Sequence, residues 1–343
     1  MRIGVLTGGG DCPGLNAVIR AVVRKGETIH GDEFVGYADG WRGVVEGTTL
    51  PLDSQRCRGI LPRGGTILGT SRVSPQQVDG GVEAALGHLA AVDALVVIGG
   101  EGTLGAALRL FSEHHVPLVA VPKTIDNDIG ATEVTFGFHT AVQIATDAID
   151  RLHTTAEAHD RVMVCEVMGR NVGWIAIYAG IAGGAAEIII PEEPFDIDLI
   201  CANLIRRHQK GRYASIVVVA EGAFPKQGTI PAPPREVDIY GHERLGGIAN
   251  LLGDEIERRT GFEARVTILG HVQRGGTPTA YDRVLATRFG MAAIDAIHDG
   301  AFGQMVALQA GEIVRVPLVE AVGTGRTKTV PHELVEVAEI FYR

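Results

Sequence analysis

The stretch DALVVIGG, residues 93–100, decides the fold, because it is a continuous apolar run that ends in two glycines. Runs of the same kind begin at Ile3, Leu118 and Ser215, and helical patterns alternate with them along the chain. Continuous Val/Ile runs joined by helices are typical of parallel strands buried on both faces. We therefore predict an α/β protein with doubly wound, mostly parallel sheets, whose ligands bind at the carboxyl ends of the strands.

The composition excludes several classes of protein. The chain has 343 residues, which corresponds to two domains at about 150 residues each. Its net charge of −10 argues against a surface that grips nucleic acid or an anionic membrane, and no apolar run approaches the ~18 residues of a membrane helix. The widely spaced cysteines contain no C-x-x-C pair, which argues against a disulfide framework and a zinc knuckle. We predict a cytoplasmic protein without a signal peptide.

A glycine-rich stretch, TGGGDCPGLN at residues 7–16, joins the first predicted strand to the first predicted helix. Free backbone N–H groups and a positive helix end at such a junction can hold phosphate. The stretch is neither a P-loop nor a G-x-G-x-x-G motif. A plain strand-to-helix turn explains it as well as a phosphate site does.

Two further strand ends carry polar residues. In IGGEGT, residues 98–103, the glycines open space for phosphates and Glu101 could hold Mg²⁺, although a turn with Glu101 favouring a helix N-terminus is equally consistent. In PKTIDND, residues 122–128, two carboxylates lie beside Lys123, which offers a general base, a metal carboxylate and a phosphate contact. Asp and Asn are also common turn residues. Three polar strand ends in one sheet favour a functional site.

The second half of the chain repeats this arrangement in EVMGR (166–170), AEG (220–222) and LGHVQRGG (269–276). Each segment places a charged group after an apolar run. Arg161, Arg170, Arg265 and Arg274 together would suit a phosphorylated substrate, whereas any one of them alone is more often a solvated surface charge. The stretch 222–240 is predicted to be an excursion loop.

These loops, with PRGGTILGTSR at residues 62–72, resemble the 6-phosphofructokinase family in order and spacing over nearly the whole chain. The resemblance implies two similar α/β domains with the active site in the cleft between them. Residues 1–138 plus about 272–325 would form the phosphoryl-donor domain and 139–271 the sugar-phosphate domain. Residues 326–343 would be a C-terminal extension.

The resemblance also implies the activity, which is transfer of the γ-phosphoryl group of ATP to the 1-hydroxyl of fructose 6-phosphate in glycolysis. Asp126 matches the base that accepts the hydroxyl proton, with Thr124 beside it and Arg170 as a further catalytic residue. Glu101 and Asp128 match the carboxylates that serve Mg²⁺. The residues that match the family's donor site are Gly10, Arg72, Val73, Gly100, Gly102 and Thr103.

The sugar phosphate has its own set of matching residues. They are Thr124, Asp126, Met168, Gly169, Arg170, Glu221, His271 and Arg274. Arg161 and Arg265 match arginines that reach the sugar phosphate of a neighbouring subunit. The resemblance therefore implies a homo-oligomer, a dimer or a tetramer.

The choice of donor depends on two positions. In the family, an Asp after the acidic residue of GGE/D accompanies pyrophosphate use because it occupies the space of the ATP α-phosphate, and Gly102 leaves that space open. Lys123, in contrast, matches a lysine that pyrophosphate users tend to carry. We give Gly102 more weight and predict an ATP-dependent enzyme. The alternatives are a pyrophosphate-dependent phosphofructokinase and a non-catalytic nucleotide-sensing subunit on the same fold.

Overall fold

The computed structural model describes residues 1–230, 236–237, 243–244, 246–323 and 325–342. The chain divides into two units: unit 1 is Met1–Thr140 with Arg274–Lys328, and unit 2 is Ala141–Gln273 with Thr329–Arg343. The stretch expected as a C-terminal extension, 326–343, is split between the units after Lys328. Of the loop predicted over 222–240, residues 231–235 and 238–240 lie outside the described residues.

Strands and helices alternate along most of the described chain. The strands are β1 (Arg2–Gly8), β2 (Glu33–Tyr37), β3 (Thr49–Leu52), β4 (Ala94–Gly99), β5 (Leu118–Thr124), β6 (Phe136–Gly137), β7 (Val162–Val167), β8 (Glu187–Ile189), β9 (Ser215–Ala220), β10 (Glu236–Val237), β11 (Glu243–Arg244), β12 (Ala264–Ile268), β13 (Gln304–Gln309) and β14 (Glu312–Pro317). The α-helices are α1 (Leu15–Lys25), α2 (Trp41–Glu46), α3 (Gly81–Leu89), α4 (Glu101–His114), α5 (Phe138–His159), α6 (Trp174–Ala182), α7 (Ile197–Gln209), α8 (Ile248–Thr260), α9 (Ala280–His298), α10 (Leu318–Ala321) and α11 (His332–Tyr342).

Unit 1 is built on one sheet with the strand order β14-β13-β5-β4-β1-β2-β3, and β6 pairs with β5. The central strands are parallel, and only the edge pairs β2–β3 and β13–β14 are antiparallel. Every residue of β4 and β5 is buried, as expected of strands covered on both faces. The predicted fold class is confirmed, and the apolar run at 93–100 forms the central strand β4.

Unit 2 contains a second sheet with the order β12-β7-β9-β8, and all of its pairs are parallel. Helix α6 packs on β8 and β9, and α8 packs on β7 and β12. The buried carboxylate of Glu166, at the end of β7, accepts hydrogen bonds from the N–H groups of Gly247 and Ala249 at 3.0 Å. This side chain therefore satisfies free donors at the N-terminus of α8.

The pair Ser74-Pro75 has the pattern of a helix start, an N-cap residue followed by proline at the first helical position, but it opens only a short turn. Residues Pro75–Gln77 form a single 3-10 turn, and α3 begins only at Gly81. The Ser74 hydroxyl donates to Oε1 of Gln76 at 2.6 Å instead of accepting from a backbone N–H. Among the described residues, no helix is both long and apolar enough to span a membrane.

A buried carboxylate stands at the start of the edge strand β8. Glu187 is 5% exposed and lines a cavity of about 440 Å³ together with Ile177, Asn203, Arg206 and Val335. Burial raises its pKa from 4.5 to about 7, although a hydrogen bond with Asn203 and the nearby arginines favour the charged form. Its Oε1 atom has no hydrogen-bond partner among the described residues. Unit 2 therefore holds a carboxyl group whose burial favours its protonated form.

We expect the substitution Glu187→Gln to stabilise the protein at pH 8 but hardly at pH 5. The pKa of Glu187 is higher in the folded state than in the unfolded state. Its contribution to the free energy of unfolding is therefore fully present below pH 4.5 and is lost as the pH rises through about 7. A neutral amide avoids that loss, which amounts to about 1–3 kcal/mol. Thermal unfolding at both pH values measures the difference. The control is Glu193→Gln on the exposed rim of the same cavity, and an equal effect of Glu187→Gln at both pH values would contradict the prediction.

Candidate active site

The first glycine loop, residues 8–10 after β1, is held by the segment 63–72. The N–H of Gly9 donates to the carbonyl of Ser71 at 3.0 Å, and the Thr70 hydroxyl donates to the carbonyl of Gly9. Further along, the Asn16 side chain accepts from the N–H of Ile67 at 2.9 Å. These bonds bring the sequence-predicted donor residues Gly10, Arg72 and Val73 to one end of the sheet.

The second glycine loop, residues 99–103, lies beside the first because Gly8 pairs with Gly99 in the parallel register of β1 and β4. Thr103 is buried between them, and a Cβ atom at Gly99 would come within 2.4 Å of its Cβ. Gly102, in contrast, has no heavy atom within 4 Å of the position that its Cβ would take. The space in front of the first turn of α4 is therefore open at Gly102 and closed at Gly99.

Lys123 lies beneath the first glycine loop. Its side chain is 3% exposed, and Nζ donates to the carbonyl of Gly10 at 2.5 Å. Burial lowers its pKa, the nearby Arg274 lowers it further, and Asp126 and Asp128 oppose the shift. Arg274 donates from Nη1 to the carbonyl of Asp11 at 3.4 Å. The structure thus places two cations against the glycine loop, and it places Arg274, which we assigned to the sugar phosphate, with the donor residues of unit 1.

The acidic loop, residues 124–128, follows β5. The N–H of Asp126 donates to Thr124 Oγ1 at 3.0 Å, and the Thr135 hydroxyl donates to the carbonyl of Thr124 at 2.8 Å. Asn127 between the two aspartates has a positive φ of 54°, which Asn tolerates better than most residues. Thr124, Asp126 and Asp128 are therefore brought together as the sequence predicted.

Asp128 is a carboxylate of this loop whose proton affinity is strongly altered. Burial raises its pKa, and with the charges of Asp126 and Glu101 the value reaches about 7. Its Oδ1 atom is buried without a hydrogen-bond partner among the described residues. A divalent cation would satisfy this atom and remove the repulsion between the carboxylates.

The residues present fit Mg²⁺. Within the described part of the chain, no three His, Cys, Asp or Glu side chains converge as a ready-made metal site. Mg²⁺ is commonly bound through one or two carboxylates together with substrate phosphates, and it does not need such a cage. Asp128, with Glu101 at the first turn of α4, supplies that kind of partial site.

In unit 2, two loops meet at the carboxyl ends of the neighbouring strands β7 and β9, where Val167 pairs with Ala220. The N–H of Glu221 donates to the carbonyl of Val167 at 2.9 Å, and that of Gly222 donates to the carbonyl of Gly169. Residue 222 must be glycine, because a Cβ there would lie 1.9 Å from the Arg170 carbonyl. Met168, Gly169, Arg170 and Glu221 are therefore neighbours.

A turn at Gly270–Arg274 completes this set. The fully buried Gln273 accepts a hydrogen bond from the N–H of Met168 at 3.3 Å and donates to the carbonyl of Gly270 at 3.1 Å. His271 is exposed on the same turn. Gln273 belongs to the motif LGHVQRGG, but the motif gives no sign of its role, because that role is a contact with another loop.

Arg161 and Arg265 are not brought to these loops. Arg161 precedes β7 and Arg265 is the second residue of β12, so both lie near the amino ends of strands whose carboxyl ends carry the site. The six residues of β7 alone span about 20 Å. Both arginines pair with Glu263, and the Arg161 Nε to Glu263 Oε2 distance is 2.8 Å.

One further residue was missed by the sequence reasoning. Lys328 donates from Nζ to Asn127 Oδ1 and to the carbonyls of Thr132 and Glu133, at 2.7–2.8 Å. Burial lowers its pKa to about 8. Nothing in the motif pattern indicates it, because it lies far along the chain from the acidic loop.

The chain was compared with known families and proteins. The family profile described as Phosphofructokinase matches residues 2–297. A pyrophosphate–fructose 6-phosphate 1-phosphotransferase of Streptomyces coelicolor is 59% identical over 100% of both chains. An ATP-dependent 6-phosphofructokinase 3 of the same organism is 57% identical over 99% of both. Relatives of nearly equal similarity thus carry names with different donors.

The chain is also similar in structure to solved phosphofructokinases. A phosphofructokinase from Pichia pastoris in the T-state is 33% identical with a TM-score of 0.82, over 99% of this chain and 36% of the other, so this chain spans about a third of that one. A pyrophosphate-dependent phosphofructokinase from Nitrosospira multiformis has a TM-score of 0.83 at 18% identity, which shows the shared fold alone. The chain belongs to the phosphofructokinase family, whose members are phosphotransferases that act on a hydroxyl group.

Proposed function

We propose that this phosphofructokinase transfers a phosphoryl group from pyrophosphate to the 1-hydroxyl of fructose 6-phosphate, giving fructose 1,6-bisphosphate and phosphate. The observation that carries the choice of donor is the buried ammonium of Lys123 against the Gly10 carbonyl. The family resemblance associates lysine at this position with pyrophosphate. The pyrophosphate-dependent relative with 59% identity supports the same choice.

The physical reason is the charge of the leaving group. Phosphate leaving from pyrophosphate concentrates negative charge on a small group, whereas ADP spreads it over a longer chain. A desolvated cation fixed next to the glycine loop stabilises such a charge more than a solvated one would. Burial disfavours the charged form of Lys123, so an anionic ligand beside it would stabilise that charge.

ATP is the second candidate donor, and the open space at Gly102 favours it. We gave Gly102 more weight on the sequence alone. A glycine at residue 102 leaves room for ATP but does not disfavour pyrophosphate. Lys123, in contrast, is buried against the first glycine loop, and we therefore give it more weight here. The relatives named ATP-dependent, such as the one with 57% identity, support this second candidate.

Asp126 is proposed as the general base that accepts the proton of the sugar hydroxyl. Thr124 holds its backbone through the hydrogen bond to the Asp126 N–H. Lys123 and Arg274 then attract the donor phosphates to the first glycine loop. When bound, Mg²⁺ would neutralise charge on the donor, with Asp128 and Glu101 as its carboxylates. Phosphoryl transfer needs such positioning and charge stabilisation more than covalent help.

The loops of unit 2 are proposed to bind the sugar phosphate. Met168, Gly169, Arg170, Glu221 and His271 lie on neighbouring loops, and Arg170 supplies the positive charge. Arg161 and Arg265 lie at the other end of the same strands, which supports the proposal that they serve a neighbouring subunit of a homo-oligomer. We also propose that the enzyme works in the cytoplasm, in glycolysis.

The substitution Lys123→Met is expected to lower kcat with pyrophosphate by about 10²-fold, because it removes one preorganised cation from the leaving group. Turnover with ATP should change by much less. Fructose 1,6-bisphosphate formation is measured with Mg²⁺ and each donor in parallel, and Lys210→Met on the surface serves as the control. A wild-type enzyme active with ATP alone would overturn the pyrophosphate proposal. Silence with both donors would instead favour the nucleotide-sensing subunit.

The substitution Gly102→Asp should reduce any use of ATP by at least about 10-fold and change pyrophosphate use little, because the new carboxylate repels the extra phosphate. A Cβ atom at residue 102 would have no heavy atom of another part of the chain within 4 Å, so we expect the fold to tolerate the substitution. Gly105→Asp, one turn further along α4 and equally free of contacts, is the matched control. Equal loss with both donors would contradict the steric and electrostatic argument.

The substitution Asp126→Asn should lower kcat by about 10²–10⁴-fold, as expected for loss of a general base. Binding of fructose 6-phosphate, followed by calorimetry, should change little, because the amide keeps the size of the side chain. Asp150→Asn on the exposed face of α5 is the control. Unchanged turnover in Asp126→Asn would show that another group takes the proton.

A further inference from the structure

We infer that Lys328 is a positioning residue that holds Asn127, and with it the two aspartates on either side, in the geometry that catalysis needs. The inference rests on the proposed role of Asp126 as the base. Lys328 lies in the segment that follows α10, in unit 1, and none of the site motifs contains it. Hydrogen bonds connect it to the acidic loop, and the charge of Asp128 also acts on its ammonium.

Lys328 binds the acidic loop from both its main chain and its side chain. Its N–H donates to the carbonyl of Asp128 at 2.8 Å. Its Nζ donates to Oδ1 of Asn127 at 2.8 Å, and to the carbonyls of Thr132 at 2.8 Å and Glu133 at 2.7 Å. An ammonium has three N–H donors, so these three acceptors use all of them. A group with this many fixed partners is a clamp and not a solvated surface charge.

Asn127 is the residue on which the clamp acts. It is 2% exposed, and its φ of 54° lies in the left-handed region, which an Asn adopts only at some energetic cost. Its Oδ1 also accepts from the N–H of Thr135 at 3.1 Å. Because Asn127 joins Asp126 to Asp128, a change in its backbone angle would turn both carboxylates.

The segment after Asn127 gives the clamp a rigid base. Thr132 Oγ1 accepts from the N–H of Leu308 at 3.0 Å, and the N–H of Glu133 donates to the carbonyl of Leu308 at 2.9 Å. These bonds fix residues 132–133 to strand β13. Lys328 therefore holds Asn127 in a fixed position relative to the sheet.

The direct test compares Lys328→Met with the wild type. We expect kcat to fall about 10–100-fold while KM for both substrates stays within about threefold, because the clamp sets the geometry of the reacting carboxylate and not the binding loops. Lys210→Met controls for loss of an exposed lysine. Wild-type kcat in Lys328→Met, or a loss confined to KM, would overturn the inference.

A double mutant separates this inference from the proposed function. If Lys328 acts through Asp126, Lys328→Met should cost almost nothing further in the Asp126→Asn enzyme. Additive losses would show that Lys328 acts elsewhere and would overturn the inference. An Asp126→Asn enzyme that keeps full turnover would reject the proposed base instead, whatever Lys328→Met does.

Chemical restoration covers the case in which Lys328→Met folds poorly. Lys328→Cys treated with 2-bromoethylamine forms a thioether and releases bromide, which places an ammonium at nearly the position of the lysine Nζ. The native cysteines are all buried, and burial raises the pKa of each thiol to about 11 or 12, so they should react slowly. We expect aminoethylation to restore kcat at least 5-fold in Lys328→Cys and not to change the treated wild type. No restoration in a folded, labelled protein would overturn the inference.

Discussion

The register of three parallel strands is the constraint on which the site of unit 1 depends. Gly8 of β1 pairs with Gly99 of β4, and Gly99 pairs with Pro122 of β5. The two glycine loops and the acidic loop therefore leave the sheet at the same level. The strand register alone makes the residues that follow neighbours. A shift of one strand by two residues would move its loop by about 7 Å and separate Lys123 from Gly10.

The charges of the site depend on one another. Lys123 and Arg274 lie against the first glycine loop. Burial and the charge of Arg274 lower the pKa of Lys123, while Asp126 and Asp128 raise it. Asp128 is in the opposite position, because burial and two neighbouring carboxylates favour its protonated form. Anionic phosphates near the cations and a divalent cation near the carboxylates would relieve both kinds of repulsion.

The sequence predicted the central strands and their loops because buried parallel strands are continuous apolar runs. It did not reveal the outer strands of unit 1, which are β2, β3, β13 and β14. β2 contains Gly36, β3 contains Pro51, and β13 and β14 are joined by a turn at Ala310 and Gly311. Glycine and proline weaken a strand pattern. Lys328 was missed for a different reason. Its partners lie about 200 residues away, and hydrogen bonds between distant segments leave no periodic signal in a sequence.

The two positions that we propose determine the donor, Gly102 and Lys123, differ in how far they are coupled to the fold. A Cβ atom at Gly102 would have no heavy atom of another part of the chain within 4 Å, so a side chain can begin at this position without a clash. Lys123 is buried in β5, where it pairs with Phe136 of β6 in the strand register. Its Nζ donates a hydrogen bond to the carbonyl of Gly10. Its replacement changes packing, hydrogen bonding and charge together. Relatives with similar overall identity but different named donors are understandable on this basis, since a donor preference can change at few positions while the strand register that builds the site is kept.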